Sequence, residues 1–219
     1  MATVLVTGAN RGIGLEFCKQ LKAQGHDVIA ACRKSNDELD ALGVRVESLD
    51  VTSDEQIAAL AQRLEGTTLD MVINNAGILL RETLEELNFN QILRQFEVNS
   101  LGPLRVTAGL RHLMKQGSKV GIITSRMGSI ADNTSGSRYG YRMSKAAVNM
   151  AGVSLAHDLK DAGIAVALLH PGFVRTDMTG NNGLIDADES VSGLLARMNE
   201  LTLETTGTFW HTNGEVLPW

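Results

Sequence analysis

The segment Tyr141-Arg142-Met143-Ser144-Lys145 contains two side chains suited to proton transfer. Tyr141 and Lys145 are spaced i and i+4, so they share a face if the segment is helical. A free phenol has a pKa of about 10 and keeps its proton at neutral pH. A neighbouring ammonium group favours the phenolate and lowers that pKa towards the working range of an acid–base catalyst. The pair predicts a catalytic tyrosine, although the same spacing also fits an aromatic ring packed beside a surface lysine.

A hydroxyl group at Ser125 strengthens the catalytic interpretation. Ser125 follows the apolar run from Val120 to Thr124, which reads as a buried strand. Ligands of open α/β sheets bind at the carboxyl ends of the strands. Ser125 could therefore donate a hydrogen bond to a carbonyl oxygen while Tyr141 protonates it, and so share the charge that develops as hydride arrives.

A glycine-rich turn lies near the start of the chain, at Thr7-Gly8-Ala9-Asn10-Arg11-Gly12-Ile13-Gly14. It follows an apolar strand and precedes an amphipathic helix, as a pyrophosphate-binding turn does. The spacing is G-x-x-x-G-x-G, and no Gly-Lys-Ser/Thr follows, so the turn is not a P-loop. Its position predicts a dinucleotide site, although a turn of this kind can also be purely structural.

The end of the second predicted strand indicates which dinucleotide is bound. An acidic residue there holds the ribose 2′-hydroxyl of NAD, whereas arginine accommodates the 2′-phosphate of NADP. The strand ends Ala31-Cys32-Arg33-Lys34, without a carboxylate, and Arg11 lies in the glycine turn. This arrangement predicts NADP(H). The alternative is that both arginines are solvated surface charges.

These groups require a scaffold of strands that alternate with helices. Parallel strands joined by helical crossovers give a sheet covered on both faces. We therefore expect an α/β fold, namely a Rossmann-type, doubly wound, mainly parallel seven-stranded sheet in one domain over residues 1–219. The expected strands are Thr3–Thr7, Asp27–Cys32, Val44–Ser48, Met71–Asn74, Lys119–Thr124, Ile164–His170 and Thr208–Trp210. The expected helices are Gly12–Gln24, Ser53–Leu64, Leu84–Gln116 (split or bent near Gly102-Pro103), Tyr141–Ala162 and Asp188–Leu201.

The composition excludes several classes of function. The 219 residues are 43% hydrophobic, which suits a folded core, and the formal net charge of −5 argues against nucleic-acid binding. Apolar runs such as Ile164–Leu169 are far shorter than the ~20 residues of a membrane span. Two separated cysteines and no recognisable secretion signal predict a cytoplasmic protein without a disulfide framework.

Hydrolase and metal chemistry fit the sequence less well. Ser125, His170 and Asp177 could be imagined as a triad, but no G-x-S-x-G elbow is present. His170 directly precedes Pro171 at a predicted strand end, where a structural role is expected. The five histidines show no metal-binding spacing, so no metal site is predicted.

Six motifs occur together in an order that resembles the short-chain dehydrogenase/reductase family. The motifs are Thr7–Gly14, Asn74-Asn75-Ala76-Gly77, Asn99, Ser125, Tyr141 with Lys145, and Pro171-Gly172-Phe173-Val174-Arg175-Thr176. The resemblance extends over essentially the whole chain. The segments around Ser125 and Tyr141, together with Gly214-Glu215-Val216-Leu217-Pro218-Trp219, resemble the subgroup of C-factor-like and sniffer-like carbonyl reductases.

The resemblance implies a role for each matching residue. Asp50 would accept from the adenine amino group, with Val51 against the ring, and the turn at Asn75 would close against the adenosine ribose. Lys145 would bond the nicotinamide ribose, and Asn99 would hold a water that links Lys145 to solvent. Val174 and Thr176 would anchor the carboxamide. The expected cofactor-binding residues are Gly8, Asn10, Arg11, Gly12, Ile13, Gly14, Arg33, Asp50, Val51, Asn75, Ala76, Gly77, Tyr141, Lys145, Pro171, Gly172, Val174 and Thr176.

The resemblance also implies an activity. The expected enzyme is an NADP(H)-dependent oxidoreductase that reduces an aldehyde, ketone or quinone, with Asn99, Ser125, Tyr141 and Lys145 as catalytic residues. Family analogy suggests a homodimer. The irregular loop from Arg126 to Arg138 is expected to shape substrate entry. The short piece from Thr179 to Gly183 leaves little material for a lid and predicts an open substrate pocket. A C-factor-like signalling or NADP(H)-binding protein, whose turnover is incidental, is the alternative.

Overall fold

Seven strands and seven α-helices alternate along residues 1–219, all of which are described by a computed structural model. The strands are β1 (Thr3–Thr7), β2 (Asp27–Cys32), β3 (Arg45–Ser48), β4 (Leu69–Asn74), β5 (Met114–Ile123), β6 (Ala165–His170) and β7 (Phe209–His211). The helices are α1 (Gly12–Ala23), α2 (Asp37–Asp40), α3 (Asp54–Arg63), α4 (Phe89–Phe96), α5 (Gly102–Leu110), α6 (Tyr139–Asp158) and α7 (Ala187–Glu200).

The strands form one sheet in the order β3-β2-β1-β4-β5-β6-β7, and every pair is parallel. The order reverses between β1 and β4, because the chain leaves β3 and crosses back over β1. A crevice opens at such a reversal, at the carboxyl ends of the strands. The predicted Rossmann-type α/β fold is confirmed, and the sheet is parallel throughout.

The core consists of two apolar layers, one on each face of the sheet. Alternate residues of a strand point to opposite faces, so Leu5 of β1 joins one layer while Val4 and Val6 join the other. The first layer packs β-strand side chains against α3, α5 and α6, and the second packs them against α1 and α7. The helices are thereby fixed to the sheet, and their amino ends lie at the crevice.

Several elements differ from those expected. Strand β5 begins at Met114, inside the segment that was expected to stay helical to Gln116. The first helix of that segment, α4, begins at Phe89 and not at Leu84. A π-helical turn, Glu97–Leu101, separates α4 from α5 just before the Gly102-Pro103 break. Helix α2 was not anticipated; its start is capped by the Asn36 side chain, which accepts a 3.0 Å hydrogen bond from the Leu39 amide.

Short helical turns also occur in the two loops that border the crevice. The loop from Arg126 to Arg138 was expected to be irregular, yet it begins with a 3₁₀ turn at Arg126–Gly128. A second 3₁₀ turn covers Asp177–Thr179. No helix combines the length and the apolar character that a membrane crossing requires.

Candidate active site

The glycine turn between β1 and α1 is shaped by close backbone contacts. Gly8 and Gly12 have φ angles of 65° and 52°, a left-handed conformation that glycine adopts without steric cost. A Cβ atom on Gly14 would overlap the Gly8 carbonyl oxygen. The turn therefore leaves the amino end of α1 open towards the crevice, where free amide groups suit a phosphate.

Thr7 and Asn75 tie this turn to the end of β4. The Thr7 hydroxyl oxygen accepts hydrogen bonds from the amides of Asn75 and Ala76, both at 3.0 Å. The Asn75 side-chain amide donates to the carbonyl oxygens of Thr7 and Gly8, at 3.0 and 3.2 Å. Asn75 thus fixes the two strand ends that border the crevice, and its contact with a ribose stays a prediction.

The crevice is a groove of about 620 Å³ that runs from the glycine turn to Tyr141. It collects most of the expected cofactor-binding residues: Gly8, Asn10, Arg11, Gly12, Ile13, Gly14, Arg33, Asp50, Val51, Asn75, Ala76, Gly77, Tyr141, Lys145, Pro171 and Thr176. Gly172 and Val174 lie outside its wall, and the Val174 side chain is buried, so their cofactor contacts stay predictions.

One end of the groove is rich in positive charge. Arg11, Arg33 and Lys34 are exposed there, and none of them forms an ion pair with a carboxylate. Arg94 also lines the groove and was not anticipated, because it is carried by α4, far along the chain from the strand ends. The unpaired cations suit a phosphate group at this end.

Asp50 lies at the same end of the groove, and its side chain is a stable anion. Burial acts to raise the pKa of its carboxyl group, but hydrogen bonds from the Thr52 amide and hydroxyl, with the charges of Arg94 and Arg33, lower that pKa overall. Both Thr52 bonds go to Oδ1, at 3.0 and 2.8 Å. Oδ2 therefore stays available to accept from an amino group such as that of adenine.

Tyr141 and Ser125 meet at the opposite end. Both side chains are buried, at 8% and 7% exposure. Burial raises the pKa of the Tyr141 phenol, while interaction with the Ser125 hydroxyl and the nearby charge of Arg138 act to lower it. Without a bound ligand the phenol is therefore protonated at neutral pH, as a proton donor must be.

Lys145 is buried in the same part of the groove. Its ammonium group donates a 2.9 Å hydrogen bond to the Ile123 carbonyl oxygen and lies 5.7 Å from the centroid of the Tyr141 ring. Burial lowers the pKa of Lys145 to about 8. A positive charge is thus held beside the phenol and would stabilise a phenolate.

Asn99 lies behind Lys145, in the π-helical turn. Its Oδ1 accepts from the Ile78 amide at 2.8 Å, and its Nδ2 donates to the Ile78 carbonyl oxygen at 2.8 Å and to Ser144 Oγ at 3.0 Å. The amide therefore connects the turn after β4 to the helix that carries Tyr141 and Lys145. The water expected at Asn99 stays a prediction.

The loops on the substrate side are held at a few points and present apolar surface. Arg126 forms ion pairs with Asp132 and Glu215, at 3.2 and 2.9 Å, which connect the loop to the carboxyl-terminal segment. Phe173 and Leu184 are 50% and 78% exposed. The open substrate pocket expected from the sequence stays a prediction.

His170 has properties that do not suit a catalytic base. Burial lowers its pKa to about 3, with the neighbouring His211 acting in the same direction. The two imidazole rings lie 5.0 Å apart, edge to face, and the His170 Nδ1 has no hydrogen-bond partner. A neutral, buried imidazole is consistent with the structural role expected for it.

Comparison with known protein families and proteins gives a consistent result. Residues 2–184 match the family model described as short chain dehydrogenase. The 1-hydroxy-2-glutathionyl-2-methyl-3-butene dehydrogenase of Rhodococcus sp. is 46% identical over the full length of both chains. C-signal of Myxococcus xanthus is 44% identical over 154 residues, which cover 69% of this chain and 93% of the relative.

Solved structures show the same similarity. The NADPH-bound carbonyl reductase from chicken fatty liver superposes with a TM-score of 0.91 at 32% identity, covering 100% of this chain and 99% of the other. The similarity therefore extends over the whole fold.

Proposed function

Because the chain belongs to the short-chain dehydrogenase family of oxidoreductases, we propose that it is an NADP(H)-dependent carbonyl reductase that uses Tyr141 as its proton donor. The observation that carries the proposal is the approach of the Tyr141 phenol, the Ser125 hydroxyl and the Lys145 ammonium group at one end of the groove. A module that only binds a nucleotide has no physical need for this set of groups. We propose further that one domain, residues 1–219, carries both the cofactor and the substrate site.

The residues of the groove fit an NADP(H) molecule. The glycine turn leaves the amino end of α1 open to the groove, and Arg11, Arg33 and Lys34 supply charge for a 2′-phosphate. Asp50 Oδ2 would accept from the adenine amino group. When bound, the cofactor supplies hydride at its nicotinamide ring.

The protein's own residues would control the charge on the substrate oxygen. Ser125 would donate a hydrogen bond to the carbonyl oxygen, and Tyr141 would transfer its proton there as the carbonyl carbon receives hydride. Lys145 would stabilise the resulting phenolate by its charge. Asn99 would position Ile78 and Ser144 around this set, and a water beside it would return a proton to Tyr141.

The substrate class follows from this chemistry. We propose an aldehyde, ketone or quinone, with the corresponding alcohol as the product, and the same groups would serve oxidation in reverse. The Rhodococcus relative is named as a dehydrogenase, and the chicken protein as a carbonyl reductase. The two names describe opposite directions of one type of reaction.

A homodimer is part of the proposal. Helix α4 presents Phe89 and Leu93, 70% and 64% exposed, and α6 presents Met150, 70% exposed. These two helices pack against each other, and a second copy would cover their apolar side chains. Size-exclusion chromatography with light scattering should give twice the chain mass, and a monomer at micromolar concentration would contradict it.

The free thiols of Cys18 and Cys32 support a reducing, cytoplasmic location.

A signalling role is the second candidate, favoured by the similarity to C-signal. It predicts that turnover is dispensable. The complete Ser125, Tyr141 and Lys145 set favours the enzyme.

The test follows NADPH oxidation with a panel of aldehydes, ketones and quinones. Tyr141→Phe should lower kcat by about 10² to 10⁴, the usual contribution of a general acid. NADPH affinity should change little, because the ring is retained. Tyr139→Phe is the matched control, since position i+4 from Tyr139 is Met143 and not a lysine. A Tyr141→Phe enzyme with the wild-type rate would refute the assignment of the acid.

A further inference from the structure

We infer that Arg138 is a specificity-determining residue that selects substrates with a carboxylate close to the reacting carbonyl group. The inference rests on the carbonyl reductase function proposed above and specifies its substrate class. Arg138 belongs to none of the sequence motifs, and only the folded chain brings it to the site.

The side chain of Arg138 lies between the segments that carry the two hydroxyl groups of the site. Arg138 is the residue immediately before α6, with a left-handed backbone, and it lies three residues before Tyr141. Its Nη1 atom lies 4.0 Å from the sulfur of Met127. The Met127 amide in turn donates a 3.1 Å hydrogen bond to Ser125 Oγ. The guanidinium group therefore lies between the turn that follows Ser125 and the start of the helix that carries Tyr141.

The backbone that holds Arg138 is strained. Ser137 and Arg138 both have a φ of 52°, a left-handed conformation that is sterically unfavourable for a residue with a side chain. The Arg138 amide donates to the Glu82 carbonyl oxygen at 2.9 Å, and the Arg138 carbonyl oxygen accepts from the Arg142 amide at 3.0 Å. Strain of this kind is concentrated at functional sites. The fold thus retains a costly conformation that fixes the direction of this side chain.

The charge of Arg138 has no carboxylate partner. Arg126 nearby is paired with Asp132 and Glu215, whereas Arg138 takes part in no ion pair. The buried Glu82 side chain is engaged by Gln95 instead. The positive charge of Arg138 also acts to lower the pKa of the Tyr141 phenol, against the larger effect of burial, as expected for a cation on this side of the site.

Arg142, which follows the same loop, has a structural role and differs from Arg138 in its hydrogen bonds. Its guanidinium group donates to the carbonyl oxygens of Gly136 and Ser137, at 3.0 and 3.1 Å, and to the Ser135 hydroxyl at 2.8 Å. Those bonds occupy Arg142 and close the turn on which Arg138 is carried. The guanidinium group of Arg138 makes only the long contact from Nη1 to the Met127 sulfur, and its remaining donors could bind a carboxylate.

The test compares two aldehydes that differ only in charge, 4-formylbenzoate and its methyl ester, with NADPH and the full-length protein. The readout is the ratio of kcat/KM for the acid to kcat/KM for the ester. Arg138→Gln should lower this ratio at least tenfold, and Arg138→Lys should restore part of it. Arg111→Gln, which removes an exposed arginine before β5, at the opposite edge of the sheet, should leave the ratio unchanged.

Other outcomes would overturn the inference. An unchanged ratio in Arg138→Gln, or an equal fall caused by Arg111→Gln, would show that Arg138 does not recognise the carboxylate. If Arg138→Gln fails to fold, competitive inhibition by benzoate decides: Arg138→Lys should weaken it severalfold, and unaltered inhibition contradicts the inference. Wild-type protein that reduces neither these aldehydes nor any other carbonyl compound would refute the proposed function itself, whereas an ester reduced without an Arg138-dependent preference refutes only this inference.

Discussion

The two sides of the groove reach their sharp turns by different means. On the cofactor side the left-handed residues are Gly8 and Gly12, which adopt that conformation without steric cost. On the substrate side they include Ser137, Arg138 and Asn181, the three residues other than glycine with a positive φ. The glycines of the cofactor side let a ligand come close to the backbone. The substrate side instead has side chains at its left-handed positions, although this conformation is strained for them.

The stiffness of the two sides differs in the same way. Four hydrogen bonds from Thr7 and Asn75 join β1 to β4 under the glycine turn. On the substrate side, the side chains that attach the loop at Arg126 to the carboxyl-terminal segment form exposed ion pairs, beside a single backbone hydrogen bond from the Ala131 amide to the Trp219 carbonyl oxygen, and exposed pairs contribute little. Substitutions on the cofactor side should therefore affect folding and every substrate alike, while those on the substrate side should affect selectivity.

Thr7→Val should give the largest effect on stability. Valine has the shape of threonine but leaves the amides of Asn75 and Ala76 without their acceptor. Each buried unsatisfied group costs about 1 to 3 kcal/mol, so the loss of acceptor for two amides should lower the free energy of unfolding by about 2 to 6 kcal/mol. Urea denaturation measures this change. A loss below 1 kcal/mol would mean that the cofactor side is no more rigid than the other.

Arg33→Ala should have a smaller and more selective effect. Loss of a charge-assisted hydrogen bond of about 1.5 to 3 kcal/mol should raise KM for NADPH by about 10- to 100-fold. KM for NADH, which has no 2′-phosphate, should change little. Arg111→Ala serves as the control for the loss of one positive charge. Equal increases for the two cofactors would remove Arg33 from the phosphate site.

Ser137→Gly should have the smallest effect on the free energy of unfolding. A glycine on the substrate side should raise that free energy, whereas the change on the cofactor side, Thr7→Val, should lower it. Relief of the left-handed strain should exceed the added entropy of the unfolded chain and stabilise the protein by up to about 1 kcal/mol. Gly136→Ala is the matched control: its φ is 62° and no atom lies within 4 Å of the added Cβ, so only backbone strain changes, with the opposite sign. Thermal unfolding measures both, and a destabilised Ser137→Gly would show that the serine side chain is needed.

The sequence predicted the features that depend on local pattern. The bounds of β1 and β2 agree with the structure, because short β-branched runs between polar ends define strands well. Helix α2 was missed although Asn36-Asp37-Glu38 is a cap followed by acidic residues, a signal of a helix start. The predicted start of β5, Lys119, is five residues later than its start in the structure. Residues Met114–Gln116 continue a helical pattern in the sequence, and this part of the strand pairs with β4 only at Leu69, before a register shift.

Features that depend on distant contacts could not be predicted. Nothing near Arg138 in the chain indicates that its guanidinium group meets Met127, or that a left-handed backbone would hold it there. Asn75 was expected to face a ribose, yet its amide bonds the glycine turn 67 and 68 residues away. Such pairings exist only after the sheet has formed.

The linkage between Thr7 and Asn75 also affects the order of events during synthesis. The two residues are 68 positions apart, and at 5 to 20 residues per second the ribosome needs roughly 3 to 14 s to add the second after the first. Until β4 emerges, the glycine turn has its hydrogen bonds with Lys34 and Asn36 but lacks the four that Thr7 and Gly8 form with Asn75 and Ala76. The nascent chain therefore becomes competent to capture a nucleotide only after its first third has been translated.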